Sequence, residues 1–74
     1  MVNLAQLKNG EKASLIDIEN NIRLKKKLEA KNISEGSLLR IISNSGCIIF
    51  EMHEKLFAIG KGYARNIKVK RANF

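Results

Sequence analysis

A mainly β fold, a small barrel of about five short strands with one short helix early in the chain, is what this sequence predicts. Short aliphatic runs recur from Leu38 to Val69, punctuated by Asn, Ser and Gly. The stretch with helix-forming composition is confined to the region between Asn21 and Lys31. The chain has only 74 residues, and one that short hides only ~60% of its unfolded surface, which leaves room for a single core. Closing the strands into a barrel would remove exposed edges.

Each element has its own warrant. Asn3 followed by Gln6 has the form of a capping box, with Leu4 and Leu7 on one face of a helical turn that plugs the core. Lys8-Asn9-Gly10 ends that turn. Lys12 to Ile18 reads as the first strand, its alternation slipping once in a way that a bulge near Leu15-Ile16 explains. Glu19-Asn20-Asn21 is a turn able to cap a helix over about residues 21–31, in which Leu24 and Leu28 share the inner face. Lys31 suits the negative end of the helix dipole, and Asn32 tolerates the left-handed conformation that ends a helix.

Ile33 is expected as a buried anchor before the turn Ser34-Glu35-Gly36-Ser37. Leu38-Leu39-Arg40-Ile41-Ile42 is apolar on both faces apart from Arg40, which places it centrally in the sheet. Asn44-Ser45-Gly46 signals a hairpin into Cys47 to Met52, and His53-Glu54-Lys55 turns the chain into Leu56 to Ile59. Gly60-Lys61-Gly62 is read as a loosening of the chain, and Ile67 to Lys70 as a last alternating strand.

Composition bounds the function. Apolar residues make up 45% of the chain, Trp is absent, and Phe50, Phe57, Tyr63 and Phe74 are the aromatics, so the core is aliphatic. Phe50 and Phe57 lie in apolar runs that read as buried. The single cysteine, Cys47, cannot form an internal disulfide, and neither a leader pattern nor a run of ~20 apolar residues is present. The expectation is a soluble protein of a reducing, cytoplasmic interior. Net charge is +7, concentrated in two segments. Arg23, Lys25, Lys26, Lys27 and Lys31 share their segment with Glu29 alone, and the segment holding Lys61, Arg65, Lys68, Lys70 and Arg71 contains no acid. Such segments suit a phosphate backbone, an anionic surface or an acidic protein.

No catalytic arrangement emerges. Cys47 and His53 occupy opposed turns of one hairpin, and the reading preferred is a buried strand cysteine and a solvated histidine. His53, Glu51 and Glu54 make at most a weak surface metal site, with one imidazole on a turn. Gly60-Lys61-Gly62 lacks the strand and helix context of a phosphate loop, so no cofactor is expected. The basic helix bearing Arg23, Lys25, Lys26, Lys27 and Lys31 is the candidate partner-binding face.

The ordered elements Leu4-x-x-Leu7-x-x-Gly10, Leu15-x-x-Ile18, Lys27-Leu28 with Ile33-Ser34-Glu35-Gly36, and Ala64-x-x-Ile67-x-Val69 resemble the ferrous iron transport protein A family, FeoA. The resemblance runs from about Leu4 to Val69 and implies one Src-homology-3-like domain over residues 1–74 with an inserted helix. It further implies a small cytoplasmic accessory of the membrane iron transporter FeoB, without catalysis or cofactor. Related domains at the C-terminus of iron-dependent repressors serve as protein-binding modules. The chain departs from the family at Lys31 and Asn32, where Leu or Met followed by Gly is usual, and at Glu35, where Pro is usual. Asn32 meets the backbone demand of that Gly, while Lys31 either removes part of a partner-facing apolar contact or covers the same surface with its stem. Two other readings compete with transporter binding: a nucleic-acid-binding barrel drawn by the charge, and a metal sensor using His53. The strand Leu56 to Ile59, if left as an edge, would allow self-association.

Overall fold

The computed structural model describes residues Val2 to Ala72. Among these residues six antiparallel strands form one sheet in the order β1-β6-β2-β3-β4-β5. They are β1 (Val2–Asn3), β2 (Lys12–Ile18), β3 (Leu38–Ser45), β4 (Cys47–Met52), β5 (Lys55–Gly60) and β6 (Ile67–Ala72). A 3-10 turn, Leu4–Gln6, follows β1, helix α1 (Ile22–Glu29) lies between β2 and β3, and a one-turn helix α2 (Lys61–Ala64) joins β5 to β6. The strand beyond the expected five is β1, a two-residue pairing of Val2 with Val69 and Asn3 with Lys68.

The sheet coils around an aliphatic core. Leu4, Leu7, Leu15, Ile33, Ile41, Ile48, Met52, Ile67 and Val69 are fully buried, and no polar residue is buried with them among those described. Fully hiding one such side chain contributes about 1.5–3 kcal/mol, so this cluster is the main source of stability. Alternation assigns the faces: in β4, Ile48, Phe50 and Met52 point inward while Cys47, Ile49 and Glu51 take the other face. Cys47 is therefore half-buried on the outer side, not a core residue as the apolar run suggested. Phe50 is buried, whereas Phe57 is only partly so, the two rings stacking at 5.5 Å.

Pairing does not close the barrel. Among the described residues, strands β1 and β5 each have one neighbour, and the gap between them is spanned by the 3-10 turn and α2, which pack on each other. The chain at Gly60-Lys61-Gly62 is accordingly not loose. It winds into α2 because Ala64, wholly buried, anchors that turn against the core.

Two bulges curve the sheet. The β2–β6 register shifts between Leu15 and Asp17, where the alternation slips in the sequence. A second shift, between Ile41 and Ser43, breaks the β3–β4 ladder and leaves Ile42 without a cross-strand partner. Strand β3 is central, as its composition indicates, but its second face is not covered: Leu38 and Ile42 are 49% and 40% exposed. Arg40 lies on that outer face and donates to Glu51 on β4 at 3.0 Å.

Candidate partner-binding site

Helix α1 is fixed at both ends by asparagines. Asn21 Oδ1 accepts the N–H of Leu24 at 3.0 Å, satisfying one of the donors a helix start leaves open. At the other end Asn32 takes φ +64°, its N–H donates to the Glu29 carbonyl at 3.0 Å, and Ile33 N–H donates to the Leu28 carbonyl at 2.9 Å. That pair of bonds is a Schellman ending, completed by buried Ile33 and Leu28. Leu24 and Leu28 dock the helix on the core, so its two flanks face different surroundings.

One flank forms a groove of about 480 Å³ with β5 and α2. Its apolar surface comes from Leu24, Leu28, Phe50, Phe57, Ile59 and Tyr63, and Tyr63 is 57% exposed. Arg23 and Lys27 line it from the helix at i and i+4, Lys31 lines it from the turn that follows the helix, and no acidic residue lines it. The opposite flank is a smaller recess of about 340 Å³ where Lys25 sits with Asp17, Glu29 and Glu35. The basic helix is thus electrostatically two-sided: cations alone on the β5 side, carboxylates in excess on the β2 side.

Of the five cations expected to form a docking face, the structure brings Arg23, Lys27 and Lys31 together. Lys25 lies on the other flank, and Lys26 is exposed and lines neither groove. The contributions of Phe57, Ile59 and Tyr63 were missed by the sequence reading. The aromatic placed three residues after Gly60 was their available signal, legible only once Lys61–Ala64 is seen to be helical.

The other candidates are dispersed. Cys47 and His53 stand at opposite ends of β4, some six residues and ~20 Å apart along a strand. Glu51 is engaged by Arg40, and His53 and Glu54 occupy the exposed β4–β5 turn. Among the described residues no three His, Cys, Asp or Glu side chains cluster as a metal site. No helix among them is long and apolar enough to cross a membrane.

Comparison with known proteins bears on this geometry. The family model of the FeoA domain matches residues 2–71. The crystal structure of an iron uptake regulatory protein, FeoA, superposes with a TM-score of 0.86 at 27% identity, covering 96% of each chain. The FeoA protein of Chlorobium tepidum gives a TM-score of 0.87 at 17% identity over 97% of this chain and 71% of its own. A manganese-dependent transcriptional repressor shares the fold with a TM-score of 0.85 at 18% identity, 41% of its length being covered against 96% of this chain. A search of curated proteins gave no match. Matched by the family model along nearly its whole length and built on the same sheet and inserted helix, this chain belongs to the FeoA domain family, a family of small accessory domains in ferrous iron transport.

Proposed function

We propose that this protein is a non-catalytic, cytoplasmic accessory of ferrous iron uptake that binds the cytoplasmic part of a FeoB-like membrane transporter and modulates it. The observation that carries this reading is the groove between α1 and β5, an apolar floor rimmed by Arg23, Lys27 and Lys31, in a chain of the FeoA family. Interfaces of this kind pair a desolvated apolar or aromatic centre with a charged rim that steers association. Wide separation of Cys47 and His53 favours binding over nucleophilic chemistry.

Association of the purified full chain with the purified cytoplasmic part of the transporter tests the reading. Binding should weaken as salt rises, and should fall ~10-fold or more on Arg23→Glu with Lys27→Glu, because two rim cations become repulsive. Equal binding of wild type and variant at low salt would remove this groove from the model. A parallel titration with generic RNA and DNA addresses the competing reading. Affinity for both, falling steeply with salt and indifferent to the transporter, would replace transporter binding with phosphate-backbone binding. Stacked single strands need successive exposed aromatics, whereas Tyr63 is the exposed aromatic among the described residues.

A further inference from the structure

Strand β5 is an edge, and its free side opens onto the basic groove. Among the described residues it pairs only with β4, from Met52 opposite Lys55 to Cys47 opposite Gly60. The flanking pair of a two-residue hairpin exchanges backbone hydrogen bonds, so Lys55, Phe57 and Ile59 bond to β4 by alternation. The N–H and C=O groups of Leu56 and Ala58 consequently point away from the sheet. Proteins blunt such an edge with a bulge, a proline, a very short strand, edge lysines or a covering helix; here Lys55 begins β5 and α2 packs at its Gly60 end, while Leu56 and Ala58 between them stay exposed. The other edge, β1, is blunted by its two-residue length. The β4–β5 register has no bulge, the chain has no Pro, and small residues, Ala58 and Gly60, stand at the open edge beside the groove.

We propose that the groove accepts an extended, acidic segment of the partner as an added strand on β5. Its backbone would pair with Leu56 and Ala58, its apolar side chains would cover Phe57, Ile59 and Tyr63, and its carboxylates would meet Arg23, Lys27 and Lys31. The spacing suits this arrangement. Arg23 and Lys27, at i and i+4 of α1, are ~6 Å apart along the helix, and alternate residues of a strand are ~6.8 Å apart, so two successive acidic residues on one face match this pair. A second copy of this chain is a poor occupant, because it would bring the same three cations against themselves across the shared edge. The inference deepens the reading of this groove as the partner site and depends on the groove, not on the transporter's identity.

The test starts from short random peptides displayed on phage and selected on the purified full chain. Enrichment of sequences alternating acidic and apolar residues is expected. Titrating an enriched peptide into isotope-labelled protein should shift the amides of Leu56 to Gly60 and of Arg23 to Lys31, and slow hydrogen exchange at Ala58. Arg23→Glu with Lys27→Glu, its fold checked by circular dichroism, should weaken the peptide ~10-fold or more. N-methylation of the peptide's pairing amides should abolish binding. Neutral or basic enriched sequences, no enrichment, shifts confined elsewhere, or indifference to N-methylation would each overturn strand addition. The cytoplasmic part of the transporter provides a separate arm. If it binds the groove while Ala58 still exchanges freely, strand addition fails and the transporter reading stands; if acidic peptides add to β5 and the transporter does not bind, the reverse holds.

Discussion

Asn44 on β3 donates through Nδ2 to the main-chain carbonyl of Leu7 at 2.6 Å, pinning the N-terminal segment across the mouth of the sheet. The same nitrogen reaches the Ala5 carbonyl at 3.1 Å, and Asn44 N–H donates to Asn9 Oδ1 at 2.7 Å. These bonds cross more than thirty-five residues of sequence at their longest and hold Leu4 and Leu7, both fully buried, over the core. Asn44→Ala should therefore cost about 1–3 kcal/mol, since two partly buried carbonyls lose their donor. A urea titration measures the loss, and faster amide exchange at Leu7 would locate it. An unchanged midpoint would mean water replaces the carboxamide without penalty.

Asn32 ends α1 in a left-handed conformation that a β-branched side chain resists. Asn32→Gly should be neutral or stabilising, and Asn32→Val should cost about 1–2 kcal/mol. Thermal unfolding of the two variants side by side checks the sign. Equal stability would show that the helix ends without needing that backbone geometry.

His53 and Glu54 both have positive φ, 53° and 63°, in the two-residue turn between β4 and β5. That is the geometry of a type I′ turn, for which Asn-Gly is the favoured pair. Replacing His53-Glu54 by Asn-Gly should stabilise the protein by about 1–2 kcal/mol. A lower urea midpoint would show that the present side chains contribute something this geometry does not reveal.

Glu11 ties Lys8 to Arg71 on β6. Its carboxyl is held below the ordinary glutamate range, chiefly by the Lys8 N–H donating at 2.7 Å and next by the Arg71 guanidinium donating at 2.9 Å. A carboxylate whose pKa is lower folded than unfolded stabilises the fold above the unfolded value, and that contribution disappears as pH falls through the folded value. The urea midpoint should drop on acidification below about pH 4.3, and Glu11→Gln should lose that part of the dependence. Parallel acid profiles for the two proteins would exclude Glu11 as a contributor.

The two flanks of α1 should also separate functionally. Lys27→Glu, on the groove, is expected to weaken association with the transporter's cytoplasmic part several-fold, while Lys25→Glu, beside Asp17, Glu29 and Glu35, should change it little. Calorimetry on the two variants decides it. Equal loss from both would mean that total charge, not the groove, governs binding.

Much of the fold was legible because each local signal agreed with its neighbours. The bounds of β2, the bulge after Leu15, the Asn21 cap and the left-handed Asn32 all follow from local backbone chemistry, which needs no partner from far along the chain. The Asn3-Gln6 capping box is present, with Gln6 Oε1 accepting the Asn3 N–H at 2.9 Å. Helix α2 was not legible, since two glycines argue for a loop until Ala64 is seen to be buried.

By itself the sequence determined the aliphatic core, the sheet with its one inserted helix, and the concentration of positive charge in two segments, one of them on that helix, because periodicity, capping and composition act within a few residues. Only the tertiary structure decided which cations act together and what they face. That depends on which flank of α1 lies against β5, on the barrel's being left open at that strand, and on Tyr63 being carried to the groove by a helical turn, all of them long-range packing relationships that no local pattern encodes.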